Sequence, residues 1–391
     1  MRPVRVSVPG KLILIGEHAV VYGRPALAAA IDRRLSVEIK PHPEPGVRLS
    51  LPGLSHAEQT SWPAIAEQAA RAFSAWRRFA AEPAADFSAV RGTEAAHLVK
   101  VALGAAVERS GLAPRDLPGA EIEVRSDLPV GSGFGSSAAA AAGVLAAFTA
   151  ALGAGPADRE DLLAAALDVE RCQHGRPSGI DTETVVRGGL VWAERTGEEP
   201  PRLAFLSLAP SSPLLRMVAV YDTGRPRETT GEVVAAVRRV RDLDPRRFED
   251  TLDRFERAAR DLKAELETTA GSRRTLIRCV REAEACLEAM GAVPEAVARR
   301  VRAIEKAGGA AKISGAGAAS GSSAGSMLVV MPDDRSDNRG AREGRGAPKD
   351  GLGSPEAANE AAEAFAGYAR REVALAAPGL RVESLEEQPY E

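Results

Sequence analysis

The chain has 391 residues, 51 Lys and Arg against 54 Asp and Glu, a formal net charge of −3, and 45% hydrophobic but 4% aromatic residues. That length exceeds one ordinary core and points to two domains. The balanced charge leaves no electrostatic footprint for nucleic acid or an anionic membrane. The 3 cysteines (Cys172, Cys279, Cys286) build no disulfide framework, and the 5 histidines show neither HExxH nor zinc-ligand spacing. The N-terminal apolar run LILIG is short and ends in Glu17-His18, unlike a secretory signal, so a cytoplasmic protein is expected.

In chain order, Val4, Val6 and Val8 share one face of a strand over 3–8, which Pro9-Gly10 breaks before Leu12–Ile15 resumes. Strands are expected over 33–42 and 121–126, a helix over 94–110, and one or two short helices within the poorly patterned 50–90. A helix over about 137–152 precedes a second one after Pro156, whose register runs through Glu170 to His174. Gly175 and Pro177 end it, leaving Asp181 on a loop. Strands follow at 188–194 and 216–222.

From 229 to 307 the pattern is of long, charged, amphipathic helices, and then "AAKIS" (310–314) and "SMLVVM" (326–331) read as strands. The switch from mixed α/β to helices with a small sheet places a boundary near 205–225. Residues 332–354, polar and rich in Gly, Pro, Arg and Asp, read as a disordered surface insertion. A last helix over 355–376 and a strand near "LRVESL" close the chain.

Four stretches carry chemistry. "GSGFGSSAAAAAG" (131–143) is a glycine-rich turn entering a helix, which exposes backbone N–H groups at a positive helix end and suits phosphate. It lacks the lysine of a P-loop and the GxGxxG spacing of a dinucleotide fold, so a plain capped turn stays an equal reading. "PGKLILIGEHAVVYG" (9–23) embeds Lys11, Glu17 and His18 in apolar sequence, where polar groups must be paired: a buried ion pair and a satisfied histidine, or a site. "DVERCQHGRPSGIDTETVVRGG" (168–189) offers Glu170 and Asp181 as a base or magnesium ligand, with a plain Glu170–His174 helical pair as the alternative. "KISGAGAASGSSAG" (312–325) needs small residues for a ligand or for tight interdomain packing.

Taken together, PGK…GEH, GSGxGSSAA, HGxPSGID and KxSGAG, in that order, resemble the GHMP small-molecule kinases. "GEHAVVYGRPALA", "ERCQHGRPSGID" and "DTGRPRETT" (222–230) are similar to the mevalonate kinases within them. The likeness runs from residue 3 to about 330.

It implies an α+β fold of two domains, a mixed α/β unit over 1–215 and a ferredoxin-like α/β unit over 216–391, with the active site in the cleft between them. It implies ATP and Mg²⁺, a homodimer as one open assembly state, and phosphoryl transfer to the C5 hydroxyl of mevalonate. By position, Asp181 matches the catalytic base, Lys11 the lysine beside it, and Ser137 and Glu170 the magnesium ligands. Gly131, Ser132, Gly133, Gly135, Ser136 and Ser137 would wrap the triphosphate. Glu17, His18, Thr229, Gly315 and Ala316 match substrate contacts, and Arg227 is a candidate cation for the substrate carboxylate. The third motif departs from the usual glycine run, reading Gly315-Ala316-Gly317-Ala318-Ala319-Ser320-Gly321. A kinase of a related substrate such as phosphomevalonate, or a non-catalytic sensor of the same fold, stays open as an alternative; a nicotinamide oxidoreductase rests on GxGxG alone.

Overall fold

The computed structural model describes residues 1–82, 87, 90–129, 131–153, 158–196, 203–208, 213–332 and 365–384. The first half supplies β1 (Val4–Ile15), β2 (Ala26–His42), β3 (Val47–Leu51), β4 (His56–Thr60), α1 (Trp62–Ala81), α2 (His97–Ser110), β5 (Gly119–Ser126), α3 (Ser136–Ala151), α4 (Arg159–His174), α5 (Ile180–Arg187), β6 (Leu190–Arg195) and β7 (Leu203–Leu208). The second supplies β8 (Val218–Asp222), α6 (Thr230–Leu243), α7 (Pro245–Glu267), α8 (Arg273–Ala289), α9 (Glu295–Lys306), β9 (Ala310–Ser314), β10 (Ser326–Val330), β11 (Ala369–Arg371) and β12 (Arg381–Ser384).

An 8-stranded sheet runs β12-β1-β2-β5-β3-β4, with β6 joined to β2 and β7 to β6. Pro9-Gly10 does not end the first strand, as the sequence suggested. β1 stays continuous, and the irregularity is absorbed as a register shift, Pro9 facing Arg34 while Gly10 faces Ile31. The two residues of β2 skipped there, Asp32 and Arg33, turn out to solvent.

Helix α3 lies against this sheet. Its sequence, SSAAAAAGVLAAFTAA, is apolar all round and buried along most of its length, as befits a helix at the centre of a layer. Alanine lets it approach the strands closely: a Cβ on Gly143 would stand 3.0 Å from Val8 Cγ2.

The second sheet is 4-stranded, ordered β11-β8-β10-β9, and every neighbouring pair is antiparallel. Numbered within the unit, that order is 4-1-3-2, the ferredoxin-like arrangement expected for the second half. Between β8 and β9 stand four amphipathic helices, with Phe248, Phe255, Leu262, Cys279, Val280 and Leu287 buried along α7 and α8. The chain end returns to the first sheet, where β12 pairs with β1 from Val4 opposite Ser384 to Ser7 opposite Arg381.

Three expectations need correction. Residues 50–90 do not hold short helices only: β3 and β4 form a hairpin there, and α1 runs for 20 residues, started by Ser61 Oγ accepting from Ala64 N. The polar alternation of "HAEQT" gave little strand signal because neither face of β4 is fully buried. Asp181 lies in the first turn of α5, a helix of 8 residues, not on a loop. The closing helix over 355–376 fails in its described part, since 369–371 is a strand; residues 355–364 lie outside the described residues, as does most of the 332–354 insertion. No described helix is long and apolar enough to cross a membrane.

Candidate active site

The glycine loop meets β1 at its bulge. Lys11 N donates to Phe134 O at 2.9 Å, which docks residues 131–135 onto the strand carrying Lys11. Gly135 caps α3 with φ 73°, a left-handed conformation, and a Cβ there would come within 2.8 Å of Lys11 Cγ. Only glycine satisfies both demands without strain. Among the described residues no side-chain oxygen caps α3, so its first-turn N–H groups stand without a side-chain acceptor at the positive end of the helix.

Lys11 is buried, and its Nζ pairs with Asp181 Oδ1 at 2.9 Å; the Asp181 side chain keeps 34% of its exposure. A buried cation thus ends on a carboxylate that opens to solvent. Asp181 stands where it does because Gly179, at φ 86°, turns the chain into α5 and presents the first turn to β1.

Beside it, Glu170 is buried on the last turns of α4, with 2% exposure. Ser137 Oγ donates to its Oε2 at 3.2 Å and lies 3.0 Å from His174 Nε2. Glu170 Oε1 is buried with no hydrogen-bond partner among the described residues. Burial, and next the negative charge of Asp181, push the Glu170 carboxyl up to about 8. A carboxylate this costly to bury alone fits a bound cation.

The late glycine loop closes over the early one. Ser326 N donates to Ser132 O at 3.2 Å, and a Cβ on Gly133 would stand 3.1 Å from Ser314 O. Arg225 lies over Gly131 and Arg227 over Gly321, their side chains 3.3 and 3.6 Å from a Cβ built at each glycine. His18 is buried at φ 37°, its Nε2 2.8 Å from Ala316 O, and burial lowers its affinity for a proton.

Of the residues singled out from sequence, Lys11, Asp181, Glu170, Ser137 and the 131–136 loop are brought together by these contacts, Gly315 lies against Gly133, and His18 meets Ala316. Glu17 is buried in an ion pair with Lys312. Thr229 is exposed and caps α6, its Oγ1 accepting from Glu232 N at 3.3 Å while its own N–H donates to Glu232 Oε2. Its neighbour Glu228 accepts from Ser320 Oγ at 2.5 Å, tying that segment to the late loop. Sequence reasoning missed Lys312, Arg225 and the contact of His174 with Ser137. Lys312 had a signal, a lone cation in the apolar strand AAKIS; the two contacts did not.

Residues 97–189 match the GHMP kinases N terminal domain. A mevalonate kinase of Archaeoglobus fulgidus is 31% identical over 312 residues, 80% of this chain and 88% of that protein. One of Thermococcus gammatolerans is 30% identical over 85% of this chain and 91% of that protein. The crystal structure of the Methanococcus jannaschii mevalonate kinase superposes with a TM-score of 0.66 over 97% of this chain and 96% of that one, at 16% identity, which speaks for the fold. Near-full-length kinship at this identity, on the fold and cleft described, makes the chain a member of the mevalonate kinase family of GHMP kinases.

Proposed function

We propose that this chain phosphorylates mevalonate, moving the γ-phosphoryl group of ATP to the C5 hydroxyl. The observation that carries the reading is the Lys11–Asp181 pair set beside the uncapped N-terminus of α3. Phosphoryl transfer is mostly positioning and charge stabilisation, so a site needs an anion cradle, a metal-holding carboxylate and a base, in reach of one another.

In this reading the 131–136 backbone cradles the phosphates. Asp181 orients the attacking hydroxyl and accepts its proton, while Lys11 offsets the local negative charge and favours the developing alkoxide. Ser137 and Glu170 would hold Mg²⁺, which would supply positive charge to neutralise the phosphates. The buried, unpartnered Glu170 Oε1 supports that fit. His18, Gly315 and Ala316 line the alcohol side, and Arg227, beside Gly321, is the candidate cation for a substrate carboxylate. We take 1–215 and 216–391 as the two domains, the second lending β12 to the first.

An ADP-release assay over mevalonate, phosphomevalonate, galactose and homoserine tests it. The expected result is turnover of mevalonate alone, dependent on ATP and Mg²⁺. Turnover of another member without mevalonate overturns the substrate, and ATP binding with no turnover at all overturns the kinase.

A further inference from the structure

Strand β9 is the edge of its sheet, and an edge strand leaves backbone groups unpaired. Here side chains seal it. Glu284 Oε2, from α8, accepts from Ile313 N at 3.0 Å, and Lys312 Nζ donates to Ile313 O at 2.5 Å. Ser314 Oγ accepts from Ile13 N at 3.0 Å and donates to Ile13 O at 2.9 Å, across to β1. Lys312 Nζ also donates to Glu17 Oε1, and both side chains are buried, at 0% and 1% exposure.

The edge of the second sheet is therefore fixed to the end of β1 by one buried ion pair and one hydroxyl. Directly beyond β9, Ala316 O meets His18 Nε2; directly beyond Glu17 comes His18 itself. The ion pair thus precedes both members of that contact in sequence, and the Glu17 carboxylate also feels the charge of Lys11.

We propose that Glu17 and Lys312 are positioning residues: their ion pair is the joint that sets His18 and the 315–317 turn against Lys11 and Asp181, and so governs binding of the alcohol substrate. A buried ion pair is weak evidence for stability, because desolvation offsets most of its attraction. Hydrophobic residues would pack β9 against β1 as well, so stability alone does not account for the pair. Setting one geometry of the two sheets does: Lys312 reaches Glu17 and Ile313 O together only when β9 and β1 keep their present alignment.

The inference rests on the reading of the cleft as a small-alcohol kinase. It is tested with Glu17→Gln, Lys312→Met and the double variant Glu17→Gln/Lys312→Met. Each single change strands a buried group and should lower Tm by roughly 5–10 °C. The double change removes both charges and should bring Tm most of the way back.

The expected signature is a double variant with near-normal Tm, ATP affinity within about twofold, and an alcohol KM raised about tenfold. Hydrogen exchange of 313–325 should also be faster in it, with 131–137 unchanged; that readout needs no substrate. A double variant with normal KM and normal exchange overturns the joint, as does an equal loss of ATP and alcohol affinity. Failure of the wild-type chain to turn over any alcohol overturns the functional reading instead, and the exchange result then still decides the joint.

Discussion

Lys11 Nζ lies 2.9 Å from Asp181 Oδ1, joining a buried cation on the first strand to a half-exposed carboxylate on the first turn of α5. The pairing leaves the carboxylate partly exposed, as a base needs. Asp181→Asn keeps the shape and removes the proton acceptor, so kcat should fall by at least about 10³-fold. ATP affinity measured by calorimetry should stay within about threefold, since the phosphate cradle is built from 131–136. Near-wild-type turnover would remove Asp181 from the role of base.

Glu170 and Ser137 are joined by a 3.2 Å hydrogen bond, and the second Glu170 oxygen is free to take a cation. Glu170→Gln should raise the Mg²⁺ concentration for half-maximal activity by more than about 100-fold, exceeding what an outer-shell loss costs. Direct Mn²⁺ binding in the presence of ATP, followed by electron paramagnetic resonance, should weaken in parallel. Unchanged metal binding would mean the ion is held elsewhere.

How far the sequence went follows from which interactions are local. The α3 and α4 helices, the β9 and β10 strands and the Gly175 stop were legible because apolar period and helix-ending residues are read within one element. The cleft was legible as four motifs only because their order matched a family; no spacing tells that Ser132 meets Ser326 or that Ser314 bridges Ile13. The sequence leaves Asp181 on a loop because its helix is 8 residues long and begins at a positive-φ glycine, where a short periodic run is indistinguishable from a turn. Position in a motif puts Glu17 among the substrate contacts, whereas its partner, Lys312, sits in the other half of the sequence. Its pairing is decided by how two sheets meet.

His174 Nε2 lies 3.0 Å from Ser137 Oγ, one helical turn beyond Glu170, with 3.7 Å between the imidazole and Glu170 Oε2. With the hydroxyl hydrogen given to Glu170, the imidazole fixes the rotation of the Ser137 side chain from behind. His174→Phe keeps the bulk and removes that contact. Apparent Mg²⁺ affinity should fall about tenfold, in the range for an outer-shell partner, while kcat at saturating metal changes by less than about threefold. Equal metal dependence in variant and wild type would reduce His174 to a helical neighbour of Glu170.

Glu284 is wholly buried, and that burial pushes its carboxyl up to about 8, from an ordinary value of 4.5. The folded chain therefore holds a proton there that the unfolded chain releases, throughout the window between those values. Stability from this group is complete below pH 4.5, declines as pH rises, and is lost once pH passes through about 8. The slope is at most about 1.4 kcal/mol per pH unit. Glu170 adds a slope of the same sign, so wild-type stability alone does not isolate Glu284. Glu284→Gln does, because the amide mimics the protonated acid and can still accept from Ile313 N. Urea unfolding at about pH 5.5, 7 and 8.5 should show the wild type losing stability faster than the variant, with the gap in slope near 1 kcal/mol per pH unit. Parallel curves would place a carboxylate, not a carboxylic acid, beside Lys312 at neutral pH.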